Sequence, residues 1–342
     1  MKEYEPLKNH TTFRIGGEAR YFFVVSSMGE LMQAIQYADT KSLPFFILGG
    51  GSNTLFQDEG FSGVVIKIIT PGVIFGEADS EGRVRATAGA GVSWDTFVET
   101  CVSRGLWGIE NLSFIPGSLG GAVVQNIGAY GCEIKDAVES VEVFDIDSGQ
   151  VGKISRDECN FGYRTSLFKT PNEKKYVVLS ADFKLSISGN PNLSYADMSR
   201  HVAEKGKTPT LLFMREAVIS IRQSKLPNVD EVGTAGSFFK NPIITRGEYE
   251  AMVKRFPELP GIKEGEDNMK LSAGWLLDHI GGFKGERQGG AMVFEKQTLV
   301  IVNDNSASAD DVLLLAERMK KKILSETGIT LEPEVVVVES HA

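Results

Sequence analysis

The sequence is short of the side chains that build metal centres, disulfide frameworks and nucleophilic triads, with three cysteines and four histidines in 342 residues. Cys101, Cys132 and Cys159 are odd in number and widely spaced, which excludes a disulfide framework or a CxxC zinc pattern and fits a reducing compartment. His10, His201, His279 and His341 form no HxxxH or HExxH pair, so no metal is expected. No Ser-His-Asp set or GxSxG elbow surrounds Ser237, which weakens a hydrolase reading. No run of 18 or more apolar residues occurs, and MKEYEPLKNHTTF lacks the apolar centre of a secretion signal. A cytoplasmic protein without membrane contact is therefore expected. Positive charge is also scarce: 36 Lys and Arg face 45 Asp and Glu, a net charge of −9. That argues against a nucleic-acid partner and leaves room for a local basic pocket around a phosphorylated small molecule.

Helical and strand patterns alternate along the chain. Ser27 to Glu30 reads as a capping box, followed by Leu31, Ala34, Ile35 and Ala38 on one helical face. The apolar run FFIL then leads directly into GGGSN. Strands are expected at 64–69, 83–88, 141–146 and 176–187. A second helix places Trp94, Phe97, Val98, Cys101 and Val102 at helical spacing and stops at Gly105. Past residue 222 the texture changes. Thr245 to Glu248 is another capping box, and 271–280 reads as a short apolar helix. A long helix follows Ser308, with Val312, Leu315, Ala316, Met319 and Ile323 inward and lysines at its dipole-favoured end. The closing LEPEVVVV reads as a strand. The class is α+β.

Two glycine-rich stretches stand out. In ILGGGSN, Ile47, Leu48, Gly49, Gly50, Gly51, Ser52 and Asn53 could let backbone N–H groups ring an anion, or could form a mere tight turn. Neither GxGxxG nor GK[ST] is met, since Thr54 stands where a third glycine would be needed. The second stretch, IPGSLGGAVVQNIGAYG, packs five glycines into seventeen residues. Such a length is costly in backbone entropy unless something is held against it, and two such loops suggest a dinucleotide across both. In FGYRTSLFK, Arg164 is either a functional cation or a surface arginine stacked on Tyr163. In VGTAGSFFKNP, Ser237 could be a turn residue, a cap, a nucleophile or a proton donor.

Taken in order, LGGGSN, IPGSLGGAVVQNIGAYG, FGYRTS, AGSFFKNP and LEPEV resemble the UDP-N-acetylenolpyruvoylglucosamine reductase (MurB) family across nearly the whole chain. LSYADM around Tyr195 resembles the subtype with a tyrosine loop over the substrate. The resemblance implies a PCMH-type (vanillyl-alcohol-oxidase-like) fold of two α/β subdomains, 1–70 and 71–221, binding FAD non-covalently. A C-terminal α+β substrate-binding domain, 222–342, would follow, with the last strand returning to the first subdomain. The implied reaction reduces UDP-N-acetylglucosamine enolpyruvate to UDP-N-acetylmuramate, with NADPH as hydride donor. Hydride passes through flavin N5 to C3 of the enolpyruvyl group, and a proton is then needed at C2.

By the same resemblance, Ser237 is the proton donor, Arg164 stabilises the charge pushed into the substrate carboxylate, and Glu332 assists at the enol. Phe238 and Phe239 would exclude competing water. The flavin residues would be those of the first loop together with Pro116, Gly117, Ser118, Gly121, Gln125, Asn126, Gly128, Ala129, Tyr130, Arg164 and Leu226. Tyr163, Tyr195, Lys225 and Asn241 would hold the UDP-sugar. One position departs from the family pattern: Arg287 stands where a substrate-contacting glutamine is found, with Gln288 next to Gly289, so both remain in the set. Lys240 is either a solvated lysine or a group that tunes Ser237 or binds diphosphate. A monomer is expected. Two rivals on the same fold are an oxygen-using oxidase and a non-catalytic nucleotide-binding module. The first lacks a loop histidine for a covalent flavin link, and the second gives Ser237, Arg164 and Glu332 no shared task.

Overall fold

The computed structural model describes residues 1–169, 175–206 and 208–340. They divide into two compact units. The first comprises Met1–Lys2, Tyr21–Gly50 and Gly63–Ser224, and the second Glu3–Arg20, Gly51–Ser62 and Lys225–Ala342.

In the first unit, Ser27 caps the helix Met28–Thr40 by accepting from the Glu30 N–H at 3.4 Å. The expected reciprocal bond is displaced by one residue, because the Glu30 carboxylate accepts from Ser26 N and Oγ at 2.7 and 2.9 Å instead. Leu31, Ala34 and Ala38 are buried, while Ile35 packs only partly. The strand Phe45–Leu48 runs parallel to Phe61–Ile68, with Ile47 opposite Ile66. Both are largely β-branched and aromatic, as a covered parallel pair requires. An antiparallel sheet has the order Gln150–Ser155, Val138–Asp145, Tyr176–Ser186, Arg83–Gly89 and Val73–Ala78. Helix Trp94–Ser103 buries all five apolar residues singled out for it. The Phe97 and Phe183 rings meet there at 4.9 Å between centroids, and Trp94 lies 5.9 Å from each.

The second unit holds a sheet in the order Gly233–Ser237, Val300–Asn303, Ala291–Val293 and Arg287–Gln288. A smaller sheet places Asn268–Leu271 between Ile243–Thr245 and Gly261–Glu264. Both bonds of the Thr245–Glu248 capping box are present at helix Arg246–Arg255. The apolar helix begins later than its pattern suggests, at Ala273, because Leu271 still belongs to a strand, and it widens into a π-type turn over Leu276–Ile280. Helix Ala309–Thr327 buries Val312, Leu315, Ala316, Met319 and Ile323. Its lysines do not reach the last turn. Lys320 and Lys321 pair instead with Glu317 one turn before them, and Lys322 with Glu326 one turn after it. The last strand, Val336–Val338, pairs in parallel with Thr54–Phe56.

No helix among the described residues is long and apolar enough to cross a membrane, and no cluster of metal-ligating side chains occurs among them.

Candidate functional site

In the first unit the two glycine stretches touch. The Gly50 N–H donates to Ser118 Oγ at 3.2 Å. A Cβ on Gly49 would stand 2.5 Å from that oxygen, and one on Gly50 would stand 2.6 Å from the Gly117 Cα. Only glycines permit backbones to approach so closely. The second stretch is not loop throughout. Ser118 caps a helix over Leu119–Gln125, accepting from the Gly121 N–H at 3.4 Å. Gly120 lies 2.9 Å (by its missing Cβ) from the Ala90 methyl, so packing outweighs its poor helix propensity. Asn126 ends the helix in the left-handed region. Its fully buried amide is engaged by Glu133, the Gly162 carbonyl and the Lys135 N–H. Asn126 thus acts as a brace among protein groups, and Gln125 is also buried.

Gly128–Ala129 and Cys132–Glu133 form a hairpin whose two central residues, Tyr130 and Gly131, have φ of +48° and +80°. Such a primed turn normally takes Asn-Gly, so a bulky tyrosine here is strained. The Tyr130 ring meets Tyr195 edge-on at 5.4 Å. Burial pushes the Tyr130 hydroxyl up to about 12, against the nearby Arg222 guanidinium, which lowers it. Tyr163 and Arg164 sit at the centre of a second tight turn closed between Gly162 and Thr165, with Arg164 at φ +56°. The Arg164 guanidinium lies 5.4 Å from the Tyr163 ring centre and donates to the Gly128 carbonyl at 2.7 Å. The arginine stacked on Tyr163 and the arginine held beside the second glycine stretch are therefore the same arrangement.

In the second unit, Ser237 closes a strand interrupted by a bulge. Gly233 faces Asn303 and Thr234 faces Val302, but Ser237 faces Val300. Gly236 takes φ +75°, and the Thr234 hydroxyl accepts from its N–H at 3.1 Å. A bulge of this kind bends the strand and re-aims the side chain that follows. Beyond it, Phe238 and Phe239 are 2% and 1% exposed within the apolar core. They anchor the serine segment in that core instead of shielding the site from water. The segment runs antiparallel to the LEPEV stretch: Lys240 N–H donates to the Glu332 carbonyl at 2.9 Å, and Glu334 N–H to the Phe238 carbonyl at 2.8 Å. Lys240 Nζ also reaches Glu332 Oε2 at 3.2 Å, so this lysine is a partner of the expected catalytic carboxylate.

Other expected residues fall as follows. Gly51, Ser52 and Asn53 belong to the second unit, where Asn53 Nδ2 donates to the Glu334 carbonyl at 3.0 Å. Asn241 Oδ1 accepts from the Ala273 N–H at 2.9 Å, at the start of a helix. Lys225 ends the helix Leu211–Lys225, and both it and Leu226 are half-buried. Arg287 is exposed and pairs with Asp304 at 3.2 Å, whereas Gln288 is half-buried opposite Ala291. Pro116 is exposed. Arg222 is a further cation of this helix, one turn before Lys225. Its Nε donates to the Phe114 carbonyl at 3.0 Å, and burial lowers its pKa while the Tyr130 hydroxyl and Asp95 raise it. The i, i+3 spacing of two cations was the available signal.

Residues 227–338 match the family profile described as UDP-N-acetylenolpyruvoylglucosamine reductase, C-terminal domain, and residues 19–155 match one described as FAD binding domain. Over 341 residues the chain is 40% identical to the UDP-N-acetylenolpyruvoylglucosamine reductase of Ralstonia nicotianae, with 99% of each covered. The chain belongs to the UDP-N-acetylenolpyruvoylglucosamine reductase family. The reductase of Bacteroides fragilis is 39% identical over 336 residues, 98% of this chain and 99% of the other. The crystal structure of UDP-N-acetylenolpyruvylglucosamine reductase (MurB) from Thermus caldophilus matches with a TM-score of 0.67 at 30% identity, covering 97% and 96%. This member of the reductase family is an oxidoreductase with the FAD-binding, vanillyl-alcohol-oxidase-like fold. The donor chemistry of its first unit fits FAD. Two backbones brought together by Gly50 and Gly117, the Ser118 hydroxyl and the Arg164 guanidinium suit an anionic dinucleotide.

Proposed function

We propose that the chain reduces the enolpyruvyl ether of UDP-N-acetylglucosamine to the lactyl ether, giving UDP-N-acetylmuramate, with NADPH as the source of electrons. Residues 1–70 and 71–221 form the two parts of its flavin-binding half, and 222–342 take the substrate. FAD, bound non-covalently by the two glycine stretches, Arg164 and Leu226, supplies the hydride that adds to C3. Electron density then moves toward C2 and into the substrate carboxylate, and the chain's own side chains act on that charge. Arg164, its turn fixed by the bond to the Gly128 carbonyl, stabilises the developing negative charge. Ser237 delivers the proton to C2. A serine is a weak acid, but a carbanion is a strong base, so position matters more than acidity. Glu332, kept beside the serine segment by the backbone bond from Lys240, assists at the carboxyl end. Tyr163, Tyr195, Lys225, Asn241 and one of Arg287 or Gln288 hold the UDP-sugar.

The observation that supports this reading most is the pairing of AGSFFK with LEPEV in one unit, with Ser237 re-aimed by a glycine bulge. NADPH oxidation measured with and without UDP-N-acetylglucosamine enolpyruvate tests it. Turnover should require the enolpyruvyl substrate. A flavin that NADPH reduces and that this substrate never reoxidises would refute the assignment.

A further inference from the structure

The turn that carries Tyr130 and the segment that leads to Tyr195 meet at a buried amide. Asn111 is fully buried in the short helical turn Glu110–Leu112. Its Nδ2 donates to the Tyr130 carbonyl at 2.9 Å and to the Asn192 carbonyl at 3.0 Å. Its Oδ1 has no hydrogen-bond partner among the described residues, so those two donor bonds alone decide which way the carboxamide points. A buried acceptor left unmet is unfavourable, and bonds that join two separate stretches of chain are what offset it.

Asn192 repeats the tie from the other side. Its Nδ2 donates to the Gly131 carbonyl at 3.0 Å, while its Oδ1 accepts from the N–H and hydroxyl of Ser194 at 3.0 and 2.7 Å. The approach leaves no slack, because a Cβ on Gly131 would stand 2.2 Å from Ser194 Oγ. A Cβ on Gly189, farther back, would likewise stand only 2.7 Å from the Trp107 side chain. The next residue after Ser194 is Tyr195, whose ring meets Tyr130. A tyrosine persists at φ +48° only where its surroundings hold it, and Asn111 grips the carbonyl of that residue.

We propose that Asn111 and Asn192 are positioning residues that fix the Tyr195 ring against Tyr130 and so set the affinity for the UDP-sugar. The proposal rests on the function given above, in which Tyr195 contacts that substrate. Neither asparagine acts on flavin or substrate itself.

Asn192→Ala in the flavin-loaded enzyme is the first test, read by hydrogen–deuterium exchange over residues 189–206 and by steady-state kinetics. Exchange there should quicken and KM for UDP-N-acetylglucosamine enolpyruvate should rise roughly five- to tenfold, the worth of about one hydrogen bond. Flavin reduction by NADPH should stay at the wild-type rate. Asn192→Asp keeps the acceptor for Ser194 but loses the donor to the Gly131 carbonyl, and it should behave like the alanine variant. Asn111→Ala repeats the test from the buried side, and the two Asn192 variants decide the matter if it does not fold. Unchanged exchange in Asn192→Ala, or quicker exchange with an unchanged KM, would overturn the proposal. Wild-type enzyme that never turns over this substrate would overturn the functional reading instead, with the exchange result still reporting on the tie.

Discussion

Ser237 owes its setting to its neighbour. A Cβ on Gly236 would meet nothing within 4 Å, so that glycine is required by its φ of +75° and not by space. Gly236→Ala should therefore fold and lose about 1–2 kcal/mol through backbone strain alone. A thermal melt should show the loss as a few degrees, accompanied by a fall in turnover. Gly236→Asn, which tolerates the left-handed region better, should recover part of both. If the alanine variant melts and turns over like wild type, the bulge does not place the serine. At this scale the sequence motif was legible and its mechanics were not. AGSFFK marks a serine worth attention, but no local pattern shows that Phe238 and Phe239 face a core or that Lys240 reaches Glu332, because both partners come from distant chain. Arg222 is hidden for a similar reason, since its carbonyl acceptor lies on Phe114.

Among the elements, helices with a clear apolar face were read most accurately. The stripe Val312, Leu315, Ala316, Met319 and Ile323 is buried in full, because helical period and burial coincide there. Helix Leu119–Gln125 stands where the sequence pattern suggests a loop, because Gly120 and Gly121 argue against helix while the contact of Gly120 with Ala90 rewards the smallest residue. The same glycines make a sharp prediction about the cradle. Gly50→Ala would drive a methyl into the Gly117 backbone, which cannot swing aside. Purified protein should then carry less flavin per chain than wild type, measured by the ratio of flavin to protein absorbance. Gly247→Ala is the control, since its Cβ meets nothing, its φ is ordinary and it lies in the first turn of helix Arg246–Arg255. It should raise stability by about 0.5–1 kcal/mol in a thermal melt and leave flavin content alone.

For the molecule as a whole, long-range pairing is what the sequence conceals. Glu3–Arg20 and Gly51–Ser62 group with the C-terminal unit, and only the pairing of Thr54–Phe56 with Val336–Val338 and similar distant contacts show why. Stability should depend on acid through two aspartates. Burial alone would raise Asp95, but the bidentate bonds from Arg215 at 2.6 and 3.0 Å and the Phe114 N–H hold it below the usual value. Burial likewise opposes Asp182, and Lys153, Thr87 and Ser140 outweigh it. A carboxylate with a lowered folded pKa contributes fully above its unfolded value near pH 4 and loses that contribution as pH falls through the folded value. Melting temperature should therefore be insensitive to these groups above about pH 5 and drop below pH 4. Arg215→Met should remove much of that acid-side slope, and an unaltered slope would show that the pair is not its source.

The central claim, that Ser237 protonates C2, is tested most directly by single-turnover kinetics of Ser237→Ala. Bleaching of the flavin by NADPH should proceed at the wild-type rate. Recovery of flavin absorbance on adding UDP-N-acetylglucosamine enolpyruvate should slow by about two to four orders of magnitude, the usual range for removing a general acid. Recovery at the wild-type rate, or the loss of both halves together, would contradict the account.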